Sequence, residues 1–189
     1  MALAFASLWA PWRRPLLACA LGLTLTALSG CASVARTSGE WRAGRLSLSV
    51  AALDAQAARN ITAAFELRGD GASGELHLFT PLGTQIAAAR WAPGVATLTT
   101  AEGARSFDDL DALAIGAFGP LGAHVPLAAL PDWLGGRAWP KAPSTAGTSG
   151  FDQLGWSVDL SHLADGRIVA HRAAPPQVEL RVQLDRDDG

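Results

Sequence analysis

Val178, Leu180, Val182 and Leu184 alternate without a break against Glu179, Arg181, Gln183 and Asp185. Successive strand side chains point to opposite faces, so an apolar residue at every second position marks a half-buried strand. The same period opens the main body of the chain. Leu46, Leu48 and Val50 alternate with Ser47 and Ser49, and Ile61, Ala63, Phe65 and Leu67 form the next apolar face. Gly69-Asp70-Gly71 reads as a turn, because Gly and Asp tolerate positive φ. Leu76 and Leu78 then face one way and Glu75 and His77 the other, until Pro81-Leu82-Gly83 breaks the run. Gln85–Trp91 and Val95–Thr100 read as strands on either side of a Pro93-Gly94 turn. Turn signals recur at intervals of about 8–12 residues, which predicts an antiparallel barrel or sandwich.

The period changes in the middle of the chain. Ser106 is placed to cap a helix, with Asp108, Asp109 and Asp111 against the positive end of its dipole. Phe107, Leu110, Ala114 and Ala117 fall on one stripe, and Gly119-Pro120 ends it. A second short helix fits Pro126–Leu134, kinked or partly 3₁₀ at Pro131 and stopped by Gly135-Gly136. Lys141–Gly150 reads as a loop. Strands resume with Leu154, Trp156, Val158 and Leu160 on one face, then Arg167–Ala170, a Pro175-Pro176 corner and Val178–Leu184. Strands, two short helices, then strands again predict a mainly β (α+β) fold. The sheet curves round a core and the helices pack across its open side.

The first thirty residues read as an address rather than as part of this fold. Arg13 and Arg14 precede Leu16–Leu28, an apolar run too short for the roughly 20 residues of a membrane span but fitting a signal-peptide core. The run ends Leu28-Ser29-Gly30-Cys31, which resembles the bacterial lipobox: a Leu, two small residues and a Cys. In that pattern the Cys31 thiol takes a diacylglyceryl group before cleavage, and the freed amine is acylated. The expected organisation is a signal peptide over 1–30, a lipidated tether over 31–40 and one domain over 41–189. An Asp after the cysteine would mark inner-membrane retention. Ala32 and Ser33 stand there instead, so the expectation is a lipid anchor on the periplasmic face of the outer membrane.

The remaining chemistry is sparse. Charged residues are 17% of the chain against about 25% in a generic domain, and the formal net charge is −2. No basic excess exists to neutralise a run of phosphates, so nucleic acid is not the expected partner. Lys141 is the one lysine, and the four histidines show no metal-ligand spacing. Asp108, Asp109 and Asp111 could hold a cation, but helix-dipole complementation explains them better. His162 and Asp165 could form an acid–base pair, but a solvated turn explains them more simply. No metal, cofactor or catalytic residue is expected. Leu82 is odd, because turn tips are normally polar. It either folds back onto Phe79 or Ile86 or projects as an apolar probe.

Several segments carry a family resemblance in order: Gly44-Arg45-Leu46-Ser47, the hairpin Phe79–Thr84, Pro93–Leu98, the PLAALPDWLGG stretch at Pro126–Gly136, Gln153–Val158 and Leu180–Arg186. Together with the lipobox they resemble the outer-membrane lipoprotein receptor family LolB. The resemblance implies an unclosed antiparallel β-barrel with a short-helix lid over an apolar cavity. It implies a cofactor-free monomer that accepts acylated lipoproteins from a LolA-like periplasmic carrier. Cargo then passes to outer-membrane phospholipid, in the inner leaflet. The projecting leucine of the family's P-L-G hairpin serves insertion, here Pro81, Leu82 and Gly83. The inward strand faces would line the acyl cavity with Leu46, Leu48, Ile61, Phe65, Leu76 and Leu78, joined by Leu110 and Trp133 from the lid. The segment before the first strand is shorter than in the family and its terminal Trp is missing, so a smaller lid is expected.

Two rival readings belong to other classes. A structural or envelope-assembly lipoprotein would have a filled β-core and no use for an exposed Leu82. A lipid-active hydrolase would need a nucleophile and base together in a cleft.

Overall fold

The computed structural model describes residues 39–186. The segment read as a signal peptide, and Cys31, lie outside them. The strands are β1 (Arg42–Val50), β2 (Arg59–Gly69), β3 (Gly74–Phe79), β4 (Gln85–Ala92), β5 (Val95–Thr100), β6 (Gly103–Phe107), β7 (Ser144–Ala146), β8 (Gly150–Gln153), β9 (Trp156–Asp159), β10 (Arg167–Arg172) and β11 (Val178–Leu184). They form one antiparallel sheet in the order β6-β5-β4-β3-β2-β1-β11-β10-β9-β8-β7. The edges β6 and β7 do not pair with each other, so the barrel is unclosed. Helix α1 (Leu110–Phe118), a 3₁₀ turn at Gly119–Leu121 and helix α2 (Leu130–Leu134) fill the gap between β6 and β7 in the chain. This is the unclosed barrel with short helices that the family resemblance implied, where the alternating pattern alone had left a barrel or a sandwich open.

Register follows the apolar faces. Leu46 pairs with Ala63 and Val182, and Leu48 with Ile61 and Leu180. Phe65 stands opposite Leu78, and Leu67 opposite Leu76. A slip of one residue would turn each of these leucines to solvent, so the pattern itself selects the pairing. The sheet wraps round α2. Trp133 packs at 6.2 Å on Trp156 of β9 and at 6.3 Å on Phe151 of β8. On the other side Arg42 of β1 donates from Nη1 to the Pro131 carbonyl at 2.6 Å.

Four local expectations need correction. The helix does not start at Ser106, which is in β6; Asp109 is the cap, its Oδ1 accepting from Ala112 N at 2.7 Å. The second helix is shorter than Pro126–Leu134, and Pro131 lies in its first turn, where a missing N–H costs nothing. The Lys141–Gly150 loop contains β7. Leu154 is not in a strand with Trp156: Leu154 and Gly155 form the β8–β9 hairpin turn at φ 54° and 77°.

Antiparallel pairing sends connections alternately to two rims. One rim carries the β1–β2, β3–β4, β5–β6, β8–β9 and β10–β11 hairpins. The chain enters β1 at the other rim, where Arg42 pairs with Leu67.

A single carboxylate braces β2, β3 and β4 beside the β2–β3 hairpin, at the rim opposite Leu82. Glu75 pairs across to Arg68 on β2 at 2.7 Å and lies 3.6 Å from Arg90 on β4. Arg68 in turn lies 4.6 Å above the Trp41 ring. The hydrogen bond from Arg68, then its charge and that of Arg90, hold the Glu75 carboxyl below the usual glutamate range against the opposing effect of burial. A depressed carboxylate contributes stability above its unfolded pKa of about 4.3, and loses it as pH falls through the folded value. Glu75→Gln is therefore expected to melt below wild type at pH 6–7, with the gap closing as pH drops under about 4. A gap of equal size at pH 6 and pH 3 would remove the electrostatic account.

An apolar cavity beside a projecting hairpin

The inward faces of β1, β2, β3 and β11 do not close fully on the segment from Phe118 to Leu134. Between them lies a cavity of about 70 Å³. All sixteen of its lining residues are Leu, Ile, Val, Ala or Phe. Native interiors rarely hold a void much larger than a water molecule, because the lining forfeits dispersion contacts. A void of this kind does not favour the filled core of the structural alternative.

Leu46, Leu48, Ile61, Phe65, Leu76 and Leu78 all line the cavity. Leu110 and Trp133 do not. Leu110 is buried at the start of α1, a helix that packs on β5 and β6. Trp133 is buried on the β8–β9 side, its Nε1 donating to Gln153 Oε1 at 2.9 Å. The lid contributes Phe118, Val125, Leu127, Leu130 and Leu134 instead. Val125 and Leu127 were missed because the stretch between the helices carries no period, and Phe118, Leu130 and Leu134 because the short helices do not show which of their apolar residues face the sheet. The wall is sealed at Leu67 and Leu134 but exposed at Ile86 and half-buried at Ile61 and Phe118. The cavity therefore opens toward the rim that carries the β3–β4 hairpin.

That hairpin is a tight turn with its tip pushed outward. Gly83 N donates to the Thr80 carbonyl at 2.9 Å, and Thr80 N to the Thr84 carbonyl at 2.8 Å. Pro81 presets φ for the first corner, and Gly83 takes φ 86°, which an L side chain rarely adopts. A Cβ added at Gly83 would meet nothing within 4 Å, so the tip stands clear of the barrel. Leu82 is 95% exposed and does not fold back onto Phe79 or Ile86.

The other candidate groups are dispersed. Asp109 caps α1 and Asp111 lies in its first turn. His162 Nδ1 and Asp165 Oδ2 are 3.7 Å apart on an open 3₁₀ turn, both largely exposed. Among the described residues no three His, Cys, Asp or Glu side chains are grouped to hold a metal ion.

Residues 41–187 match the family model described as "Outer membrane lipoprotein LolB". The chain is 36% identical over 155 residues to the Outer-membrane lipoprotein LolB of Bordetella pertussis, covering 75% of this chain and 76% of that one. The Bordetella petrii protein of the same name is 34% identical over 165 residues, 78% and 81% of the two chains. The Cupriavidus necator one is 33% identical over 136 residues, 68% and 64%. On this match, and with the open barrel it shares with the expected architecture, the chain belongs to the LolB family of outer-membrane lipoproteins.

Proposed function

We propose that this chain accepts acylated lipoproteins from a LolA-like periplasmic carrier and passes them to the inner leaflet of the outer membrane. One observation carries the reading: a wholly apolar cavity opens beside a leucine that the fold holds in solvent. Neither feature stabilises the folded chain, and together they match a two-step task of holding acyl chains and touching a bilayer. Pro81 and Gly83 shape the turn and Leu82 makes the contact. The cavity residues on β1, β2 and β3, Leu46, Leu48, Ile61, Phe65, Leu76 and Leu78, host the acyl chains. Cys31 carries the anchor, with 1–30 as signal, 31–40 as tether and 41–189 as a monomeric domain. No covalent step is involved.

Transfer by this route is partition. Each methylene moved between hosts is worth at most about 0.8 kcal/mol, and differences between two apolar hosts are far smaller. Exchange can therefore run without nucleotide, its direction set by which wall fits better. At about 70 Å³ the cavity is well under the roughly 300–1,000 Å³ of ordinary ligand pockets. Occupation requires the wall to yield, and the Phe118–Leu134 segment is the part of it that lies outside the strand ladder, held to the sheet by side-chain hydrogen bonds at Pro131 and Trp133.

The test is transfer itself. Carrier loaded with an acylated lipoprotein is mixed with the mature chain bearing Cys31→Ala, and the cargo is followed by co-purification. Cargo is expected to move to this chain, and the same lipoprotein without acyl groups is expected to stay behind. If no acylated cargo moves, a non-catalytic structural lipoprotein becomes the better model.

A further inference from the structure

Leu82 is not the only leucine exposed at a hairpin tip on its rim. Leu53 lies in the β1–β2 connection, where it and Gln56 exchange backbone hydrogen bonds of 3.1 and 2.8 Å across a tight turn, and it is 37% exposed. Leu154 occupies the left-handed corner of the β8–β9 hairpin and is 46% exposed. A left-handed corner of a two-residue hairpin is ordinarily Asn, Asp or Gly, so a leucine there costs both strain and apolar exposure. All three tips lie on one rim by strand pairing, because Val50, Val178, Arg172 and Trp156 end their strands on the same side as the β3–β4 hairpin. The cavity mouth at Ile86 and Ile61 opens on this side too.

The geometry points to this rim as a three-point bilayer contact, with Leu53 and Leu154 entering the lipid surface alongside Leu82. The inference rests on the function proposed above and adds two residues and an orientation to it. Two features favour a bilayer over a protein partner. First, the tips are separate. At about 4.8 Å per strand, Leu53 and Leu82 are roughly 10 Å apart along the sheet, and Leu53 and Leu154 roughly 19 Å. A fluid interface admits isolated side chains one by one, whereas a protein partner needs a contiguous packed patch. Second, the five hairpin connections of this rim carry only Asp54 and Glu102 as charges, and the Ala173–Gln177 connection is wholly uncharged. Ala-, Pro- and Leu-rich tips can approach lipid at little desolvation cost. The chain enters β1 at the opposite rim, but this does not hold the contact away from the membrane. Ten residues, Cys31–Glu40, have a contour of at most about 33–36 Å, and the nine residues of β1 rise about 30 Å.

The experiment uses the full lipidated chain in vesicles of phosphatidylethanolamine and phosphatidylglycerol. Leu53→Cys, Leu82→Cys and Leu154→Cys are each labelled with an environment-sensitive fluorophore and challenged with a quencher carried on the lipid tails. Val95→Cys, at the opposite rim, and Ile115→Cys, on α1, are exposed apolar controls. Blue-shifted emission and at least about twofold stronger quenching are expected at 53, 82 and 154 relative to both controls. A response at 82 with either 53 or 154 silent overturns the three-point contact and leaves Leu82 insertion standing. Silence at all three overturns both. Equal responses at the controls, or responses at 53 and 154 only when carrier is added, also overturn the bilayer contact.

Discussion

Leu82→Glu leaves the fold and cargo uptake intact while delivery to membranes falls by about tenfold or more. Leu82 is 95% exposed and packs on nothing, so its replacement removes no core contact. A surface change of that kind normally alters stability by less than about 0.5 kcal/mol. In a bilayer the same side chain becomes buried, which is worth about 1.5–3 kcal/mol, and a carboxylate there is penalised instead of rewarded. At about 1.4 kcal/mol per decade, losing the leucine contribution alone corresponds to roughly 10–100-fold. Leu82→Met, which keeps size and apolarity, should deliver nearly as well as wild type. The measurement is the rate at which acylated cargo bound to the variant appears in vesicles, beside the rate at which the variant strips cargo from the carrier. Unchanged delivery removes Leu82 from the mechanism. Equal loss of uptake and delivery would instead make the hairpin part of the carrier interface.

The strands that bury a clear face were legible in the sequence because burial on one side writes a period of two. β11 and β5 have the ends that their alternation and turns predict, and the inward leucines of β1 to β3 meet at the cavity for the same reason. β6 and β7 left no such trace. β7 is exposed along its whole length and β6 nearly so, so neither needs apolar residues, and edge strands are commonly kept short and polar. Leu154 misled in the opposite direction. Its apolarity continues the rhythm of Trp156, Val158 and Leu160, while its backbone is the hairpin corner that Gly155 alone announced. Membrane contact would account for a leucine in that place, since the local rule is broken without a gain in packing. Leu110 and Trp133 show a further limit. Period tells which side of an element is buried, but not whether the buried side meets a void or another side chain. Leu46 and Trp133 carry the same signal, yet one faces the cavity and the other packs on Phe151 and Trp156.

Gln153→Leu should cost about 3–4 kcal/mol, because this buried side chain makes four hydrogen bonds, one to Trp133 of α2 and three to the Trp139–Ala142 loop. Gln153 is 3% exposed at the end of β8. Its Oε1 accepts from Trp133 Nε1 and from Trp139 N, both at 2.9 Å. Its Nε2 donates to the carbonyls of Trp139 and Ala142 at 2.8 and 2.9 Å. Leucine has a similar volume but satisfies none of these partners, so the replacement strands two donors and two acceptors. Each buried orphan costs about 1–3 kcal/mol, less where the loop relaxes toward water, as the Trp139–Ala142 turn can. Against a total stability of about 5–15 kcal/mol the loss is large. For a domain of this size it corresponds to a Tm lower by roughly 6–15 °C. A fall of less than about 2 °C would show that the network is replaced by water at no cost. Uptake of acylated cargo well below the variant's Tm is the second readout. The cavity wall runs through Leu130 and Leu134 of α2, whose neighbour Trp133 Gln153 holds in place. Slackening that hold lowers the cost of moving the wall, so the folded fraction of Gln153→Leu is expected to take cargo at least as fast as wild type. Slower uptake per folded molecule would mean that α2 must stay docked for acyl chains to enter, and the yielding part of the wall would then lie between Phe118 and Leu130.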